Sequence, residues 1–385
     1  MSNVMSSKER ILRVLQHKEI DYVPLCFDGL CHGGVSFINE KYTDPFERAD
    51  YYLELGVDTA IGLGFERISA ENIDVAEWTE SRPDEKAPVL VKEYRTPKGV
   101  LKQEVRKIDY ESDRIHLFSD HNVPPGRSIR YLIESESDLE VFEALLKPPT
   151  ERELEGVRKY AARARSFCDE KGIMMTGGLD GIGDPLMWLS GIENTLFAAI
   201  DNPKFLHRYI EILSSWNIAC EKLLIEMGVD MIIRRGWYES GDFWSPSLYK
   251  EFLLNPLSRE VQTAHEAGVY YAYIMNSGVT PMIDCLLESG IDMLTNIEPD
   301  KDNLVEIKNK LAGKIAVCSG VNNYHIIELG SVDQVDLAVF HALKNLSDGG
   351  GFILSPSDSI LDTSENAQKN FYAMIESWKR HQHLI

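Results

Sequence analysis

Four acids, two adjacent arginines and a knot of aromatic residues stand in this chain directly after short apolar runs. The acids are Asp28, Asp180, Glu239 and Asp358. Carboxyl groups gathered in one low-dielectric cavity need not all ionise, and one that kept its proton could act as general acid toward a leaving oxygen or nitrogen. Arg234-Arg235 offers permanent cations whose planar donor forks suit a carboxylate or phosphate. Trp237, Tyr238, Phe243 and Trp244 follow at once, with faces that can stack on a flat substrate. Asn276 and Asn296 can orient a substrate by hydrogen bonds, and His32 and His325 add imidazoles in loops. Each type also has a plainer use. The arginines can pair with Asp180 or Glu239, the aromatics can simply pack, and a loop histidine can be solvated.

What places these groups together is a series of eight short apolar runs, at 23–28, 59–64, 173–180, 231–235, 269–275, 293–297, 315–319 and 351–355. Most are separated by helix-like stretches. Eight such units predict an α/β fold, a (β/α)8 TIM barrel, in which reactive residues sit just past the carboxyl ends of the strands. Helix, glycine stop, aspartate and strand recur at Gly56-Val57-Asp58, Gly228-Val229-Asp230 and Gly290-Ile291-Asp292. A Ser cap before residue 7 and the break at Asp201-Asn202-Pro203 mark helix ends.

Between the second and third runs the connection is too long for a plain βα loop. The stretches 89–94 and 100–108, joined by Thr96-Pro97-Lys98-Gly99, predict a β-hairpin, followed by a helix over 138–146 and a polar helix over 151–170. An insertion over about 65–150, within one domain spanning 1–385, is therefore expected to cover part of the barrel mouth. There His116 and His121 would reach the site only if the segment folds over it.

With 385 residues, 44% of them hydrophobic, the chain has material for one large core. A net charge of −21 argues against nucleic acid or an anionic membrane as partner. No run approaches the ~20 apolar residues of a membrane span, and the polar start lacks a signal-peptide core, so a cytoplasmic protein is expected. The six cysteines form no CxxC pair and are expected to be reduced and buried; Cys26 and Cys31, at i,i+5, give a weak metal or redox signal.

Phrases spread over nearly the whole chain resemble the uroporphyrinogen decarboxylase superfamily. They include Lys8-Glu9-Arg10-Ile11-Leu12, Asp21-Tyr22-Val23-Pro24, Leu55-Gly56-Val57-Asp58, Asp201-Asn202-Pro203, Val279-Thr280-Pro281-Met282-Ile283-Asp284, Asn296-Ile297-Glu298-Pro299 and Gly350-Gly351-Phe352-Ile353-Leu354. The resemblance is closer to the corrinoid-dependent methyltransferase branch, because the decarboxylase's Arg-rich loop is replaced by Phe27-Asp28-Gly29-Leu30-Cys31-His32-Gly33-Gly34. Branch members that act on thiols bind zinc through a His-x-Cys motif and a later Cys. Alignment on Val279-Thr280-Pro281 puts Ile274 and Asn276 at the first two positions, and alignment on Ile353-Leu354-Ser355-Pro356 puts Asp358 at the third. That thiolate-zinc site is therefore absent. A nonstandard oxygen and nitrogen site using Asp358, Glu239 or a nearby His stays open.

The resemblance implies methyl transfer from a small donor, such as a methoxylated aromatic or another O- or N-methyl compound, to the cobalt of a corrinoid (cobalamin). Nothing resembles a fused cobalamin-binding domain, so the cofactor belongs to a partner protein docked over the mouth. In this scheme Glu239, Asp180, Asp358 and Asn276 are the catalytic candidates. Arg234, Arg235, Trp237, Tyr238, Asp28, His32 and Asn296 bind substrate. A decarboxylase or lyase of a small anion, a noncatalytic corrinoid-partner-binding protein, and a homodimer remain open alternatives.

Overall fold

The computed structural model describes residues 5–31, 33–71, 73–107, 114–118 and 127–384. Its strands are, in chain order, β1 (Ala60–Leu63), β2 (Asp74–Glu80), β3 (Val89–Thr96), β4 (Gly99–Arg106), β5 (Ser128–Arg130), β6 (Met174–Leu179), β7 (Met231–Arg234), β8 (Tyr270–Ile274), β9 (Met293–Thr295), β10 (Ala316–Val321) and β11 (Phe352–Pro356). Seven of them form one curled parallel sheet, ordered β1-β6-β7-β8-β9-β10-β11. Parallel neighbours cannot be joined by a tight turn, so helical crossovers such as Glu151–Lys171, Pro203–Glu226 and Val332–Leu346 intervene. Most strand residues are buried, which is why the strands read as short unbroken apolar runs rather than alternating ones.

The first predicted run is the exception. Residues 23–28 form no named strand, but Leu25 bridges Leu354 of β11 and Cys26 bridges Asp58, just ahead of β1, both in parallel. The Cys26 amide donates to the Leu354 carbonyl at 2.9 Å, and the Asp58 amide donates to the Leu25 carbonyl at 2.9 Å. This segment thus touches both edges of the sheet. Pro24 has no N–H for a ladder, and Gly29, at φ +85°, turns the chain away so tightly that a Cβ there would lie 2.4 Å from the Ala60 carbonyl oxygen.

The amino ends of the strands are sealed. Cys26, Ala60, Met174, Met231, Ala272, Met293, Ala316, Cys318 and Ile353 form one buried cluster with Ile11, Val14 and Leu15 from helix Ser7–Leu15. Ser6 caps that helix, its hydroxyl accepting from the Glu9 amide at 3.2 Å. Arg10 fastens it from within by ion pairs to Asp58 (2.6 Å) and Asp21 (2.7 Å). Any cavity along the sheet axis therefore opens toward the carboxyl ends.

The long connection after β1 carries the antiparallel sheet β2-β3-β4-β5. The expected hairpin is β3 and β4, closed at Thr96 and Gly99, whose backbones pair. Tyr94 and Leu101 from the hairpin share a core with Leu139 and Phe142 of helix Glu136–Leu145. β2 and β5 were not foreseen, because β2 is mostly exposed and polar and carries no apolar alternation. The short helix Ser36–Lys41 was likewise not foreseen. Among the described residues no helix is long and apolar enough to cross a membrane.

Candidate active site

A cavity of about 410 Å³ lies at the carboxyl ends of the first segment, β1, β6, β7 and β8. Three glycines on its wall, Gly62, Gly64 and Gly178, make the room: a Cβ built on any of them would meet no heavy atom within 4 Å. Gly62 and Gly178 are exposed although they sit inside short, otherwise buried strands. Leu63, Leu179, Ile233 and Ile274 give one apolar wall, while Asp28, Arg67 and Arg235 supply the charges.

Asp28 enters from the loop after residue 27. Its backbone is held by the Cys26 thiol, which donates to its carbonyl at 3.3 Å. Thr176 on β6 donates to the next carbonyl, that of Gly29, at 2.8 Å. Arg48 donates from Nε to Asp28 Oδ2 at 2.9 Å. Burial pushes the Asp28 carboxyl above the usual carboxylate range, with the Arg48 charge opposing the shift.

Asp180 and Arg235 follow β6 and β7, and Arg67 follows β1. Asp180, 1% exposed, is the shared counter-ion of two guanidiniums: Arg67 Nη2 lies 2.6 Å from its Oδ2, and Arg235 Nη2 pairs with Oδ1. Arg235 also lies over the Trp237 ring, 5.1 Å from its centroid, and 5.7 Å from that of Trp188. The Arg67 loop is pinned by the Trp216 indole, which donates to the Arg67 carbonyl at 3.0 Å. Arg67 is the residue that sequence reasoning missed. Its signal was position alone, three residues beyond Gly64.

Arg234 and Glu239 take another role. Both are fully buried, and Arg234 pairs with Glu239 at 2.6 Å and, on its other side, with Glu260 at 2.7 Å. Glu239 Oε1 also accepts from the amides of Ile182 (2.6 Å) and Gly183 (2.7 Å), and Oε2 accepts from the Tyr273 hydroxyl. The backbone approach is so close that a Cβ on Gly183 would lie 2.5 Å from Glu239 Cγ. This pair fixes the β6 loop against the β7 loop beneath the cavity rather than lining it. Of the two local acids that the sequence offered as partners, Asp180 and Glu239, Arg234 takes Glu239, and the distant Glu260 is its second.

The remaining candidates divide. Trp237 and Tyr238 are half-buried around Trp188, whereas Trp244 is core, its indole donating to the Tyr238 carbonyl at 2.8 Å. Asn296, fully buried at φ +66°, donates to the Ser357 carbonyl at 3.0 Å and ties two loops together. Asn276 keeps a buried Oδ1 with no hydrogen-bond partner among the described residues. Asp358 accepts from the Ser359 amide at 2.7 Å and adjoins the cavity through Gly33, whose Cβ would lie 3.8 Å from the Asp358 carbonyl carbon. His116 and His325 are exposed, while His32 and His121 lie outside the described residues. All six cysteines are free and buried, and Cys31 lines the cavity.

The residues at the family's zinc positions do not fit that ion. Ile274 presents hydrocarbon to the cavity, and among the described residues no three His, Cys, Asp or Glu side chains converge as a metal site. Glu239, offered for a nonstandard site, already spends both oxygens on buried donors.

The family model described as uroporphyrinogen decarboxylase (URO-D) matches residues 128–381. Among solved structures, a methyltransferase from Methanosarcina mazei aligns with a TM-score of 0.63 at 15% identity, covering 98% of this chain and 99% of that one. A B12-independent methionine synthase from Shewanella sp. W3-18-1 reaches 0.47 at 11% identity, covering 93% and 98%. No curated protein matches the sequence. At 15% identity the likeness to the Methanosarcina mazei methyltransferase speaks for the fold alone. The matched segment contains β6 to β11 together with Asp180 and Arg235, and it exceeds half of the 385 residues, so the chain belongs to the uroporphyrinogen decarboxylase family.

Proposed function

We propose that the protein is a methyltransferase that takes a methyl group from a small O- or N-methyl donor, such as a methoxylated aromatic, for delivery to the corrinoid of a separate protein. The observation that carries this reading is the cavity itself. At the strand ends of a family fold it combines a cationic wall, an apolar wall and one carboxyl group raised by burial. In the same reading, the contacts of Leu25 and Cys26 with both sheet edges close a (β/α)8 ring, with the segment at about 65–150 inserted in a single domain.

The corrinoid, when docked, supplies a nucleophilic cobalt that accepts the methyl group. The chain's own residues do the rest. Arg235 and its neighbours hold the donor, and Leu63, Leu179, Ile233 and Ile274 exclude water around the methyl group. As the methyl–heteroatom bond breaks, the heteroatom keeps the electron pair, and the Arg235 guanidinium on the cavity wall meets the developing negative charge until solvent protonates it. Asp358 and Asn276 lie on the loops beyond and orient the departing group. No step is assigned to zinc.

A docking face for a protein partner has support at the same end of the sheet. Tyr324, in the helical turn Asn323–Glu328, and Leu329 at its end follow β10, and Leu361 follows β11, all between 51% and 70% exposed. The two segments are joined by the Leu361 amide donating to Glu328 at 2.6 Å.

The direct test is to incubate the pure protein with cob(I)alamin and a panel of methoxyarenes, N-methyl amines and betaines while recording the visible spectrum. Methyl transfer changes the spectrum; no change with any donor removes the proposal. The cationic wall equally favours a second reading, decarboxylation of a small acid without corrinoid. Carbon dioxide release in the absence of any corrinoid would support that reading instead. Turnover of either kind excludes a purely noncatalytic escort.

A further inference from the structure

Helix Ile192–Asp201 carries apolar residues all round although it lies at the surface. Thr195 and Ala199 are buried and Ile192, Leu196 and Ala198 half-buried, while Phe197 and Ile200, three residues apart on the outer face, are 63% and 67% exposed. A helix of that composition is ordinarily covered on both sides. Phe197 also borders a groove of about 380 Å³ between this helix, the start of helix Pro203–Glu226 and residues 133–136. Ile133, Phe205, Leu206 and Tyr209 give the groove an apolar floor, and it shares no residue with the strand-end cavity.

The groove is already built. Gly191, at φ +84°, sits so close to the Tyr131 ring that a Cβ there would lie 2.5 Å from it, which locks the helix start against the inserted segment. The Ile133 amide donates to the Leu189 carbonyl at 3.0 Å, and the Thr195 hydroxyl donates to the Leu186 carbonyl at 3.0 Å. Walls fixed in this way need little ordering when something binds.

Charge selects the occupant. Every charged side chain on the groove wall is an acid, namely Glu134, Glu136 and Asp201, and Glu193 stands exposed on the same helix. Of the cations nearest in the chain, Arg130 and Lys204 are exposed and off the wall, and Arg208 turns to Glu143 at 3.8 Å. A second copy of the chain fits poorly, because a two-fold contact would set these acids against their own images on molecules of net charge −21. An anionic membrane is repelled by the same groups. A small molecule held in the groove would leave Ile200, which is not on its wall, uncovered. An extended segment can cover both.

We propose that Phe197, Ile200 and the groove beside them form a docking surface for a helical segment of another protein, apolar on one face and flanked by Lys or Arg. The proposal goes beyond the methyl-transfer reading and stands whether or not that reaction occurs.

The test is fluorescence anisotropy of the full-length protein with a labelled Leu/Lys peptide whose spacing makes one apolar and one basic helical face, beside the same peptide with Glu in place of Lys. The expected result is saturable binding of the Lys peptide, with the Glu peptide weaker by at least about tenfold. Phe197→Ser and Ile200→Ser should each weaken the Lys peptide about tenfold with Tm unchanged, since both side chains are exposed. The double variant Glu136→Gln/Asp201→Asn should weaken it and flatten its salt dependence. Glu170→Gln/Glu365→Gln, which removes the same charge from exposed positions elsewhere, should change nothing. Equal binding of the two peptides, equal loss in the two double variants, or no effect of Phe197→Ser and Ile200→Ser would each overturn the proposal. Self-association of the wild type that Phe197→Ser abolishes, read by sedimentation, would assign the face to a second copy and overturn it as well.

Discussion

Glu221 shows how a single side chain sets a pH dependence in this fold. It is fully buried, both of its oxygens lack partners among the described residues, and it packs near Glu260, which itself pairs with Arg234. Desolvation, with the Glu260 charge adding to it, pushes the Glu221 carboxyl up to about 9 from an ordinary value of 4.5. Between those two values the folded chain holds a proton that the unfolded chain has released, so stability falls as pH rises across that window and levels off above it. Glu221→Gln should remove this slope. Its Tm should match the wild type near pH 4.5 and exceed it at pH 8, with a gain of roughly 1–3 kcal/mol at neutral pH. Thermal melts of both proteins from pH 5 to 9 give the answer, and parallel curves would show that Glu221 is ionised in the native state.

The same scale explains which site residues the sequence could reveal. Asp28 and Arg235, which line the cavity, and Asp180, which pairs with Arg235, stood out because a parallel strand delivers its next residues to the carboxyl edge of the sheet. Glu239 and Arg234 follow the same rule, yet they lie under the wall. Nothing in Arg-Arg-Gly-Trp-Tyr-Glu tells which arginine turns inward to a glutamate, since Glu260 arrives from the distant helix Leu254–Glu266. Arg67 escaped because its partner Asp180 is more than a hundred residues away, and pairing across a sheet is not written locally.

At the scale of elements, helix Ser7–Leu15 is held less by its own propensity than by the seal it forms. Nine residues make a marginal helix in isolation. Ile11 and Val14 are wholly buried against the amino ends of the strands. Ile11→Ala should therefore cost about 2–5 kcal/mol, the range for truncating a buried aliphatic side chain, while Leu12→Ala, on a half-buried position of the same helix, should cost clearly less. Urea titrations of the two variants distinguish a seal from a decorative helix, for which the two costs would be equal and small. This helix was legible from its cap and apolar spacing. So was the Asn202-Pro203 boundary, where the Asn202 side chain accepts from the Phe205 amide at 3.3 Å. The seven sheet strands were legible because each is a buried run bounded by turn residues. β2 was not, because an exposed edge strand built as Asp-Val-Ala-Glu-Trp-Thr-Glu gains its pairing from β3 and carries no burial pattern of its own.

At the scale of the whole molecule, the proposed partner must reach the mouth of a strongly acidic protein. The exposed apolar side chains after β10 and β11 give it a place to sit. Leu361, 70% exposed, is the most prominent of them. Leu361→Asp should reduce methyl transfer to a corrinoid protein at least tenfold and leave transfer to free cob(I)alamin unchanged. Loss of both activities would place Leu361 in the site instead, and loss of neither would move the docking face elsewhere. The parallel α/β sheet came through from seven of the eight runs. The first run's reduction to two bridging residues did not, because a proline and a tight glycine turn limit pairing in a stretch that is otherwise apolar enough.

The plug of helix Ser7–Leu15 under the strands makes the hollow a blind-ended well. In the proposed methyl transfer, donor and spent product would share one doorway, and a carrier seated over that doorway would stop the traffic in both directions. Entry must precede seating, and exit must wait for departure. An excess of the carrier should then slow steady-state turnover rather than saturate it, and Leu361→Asp, by weakening the apolar docking contact, should ease the slowing.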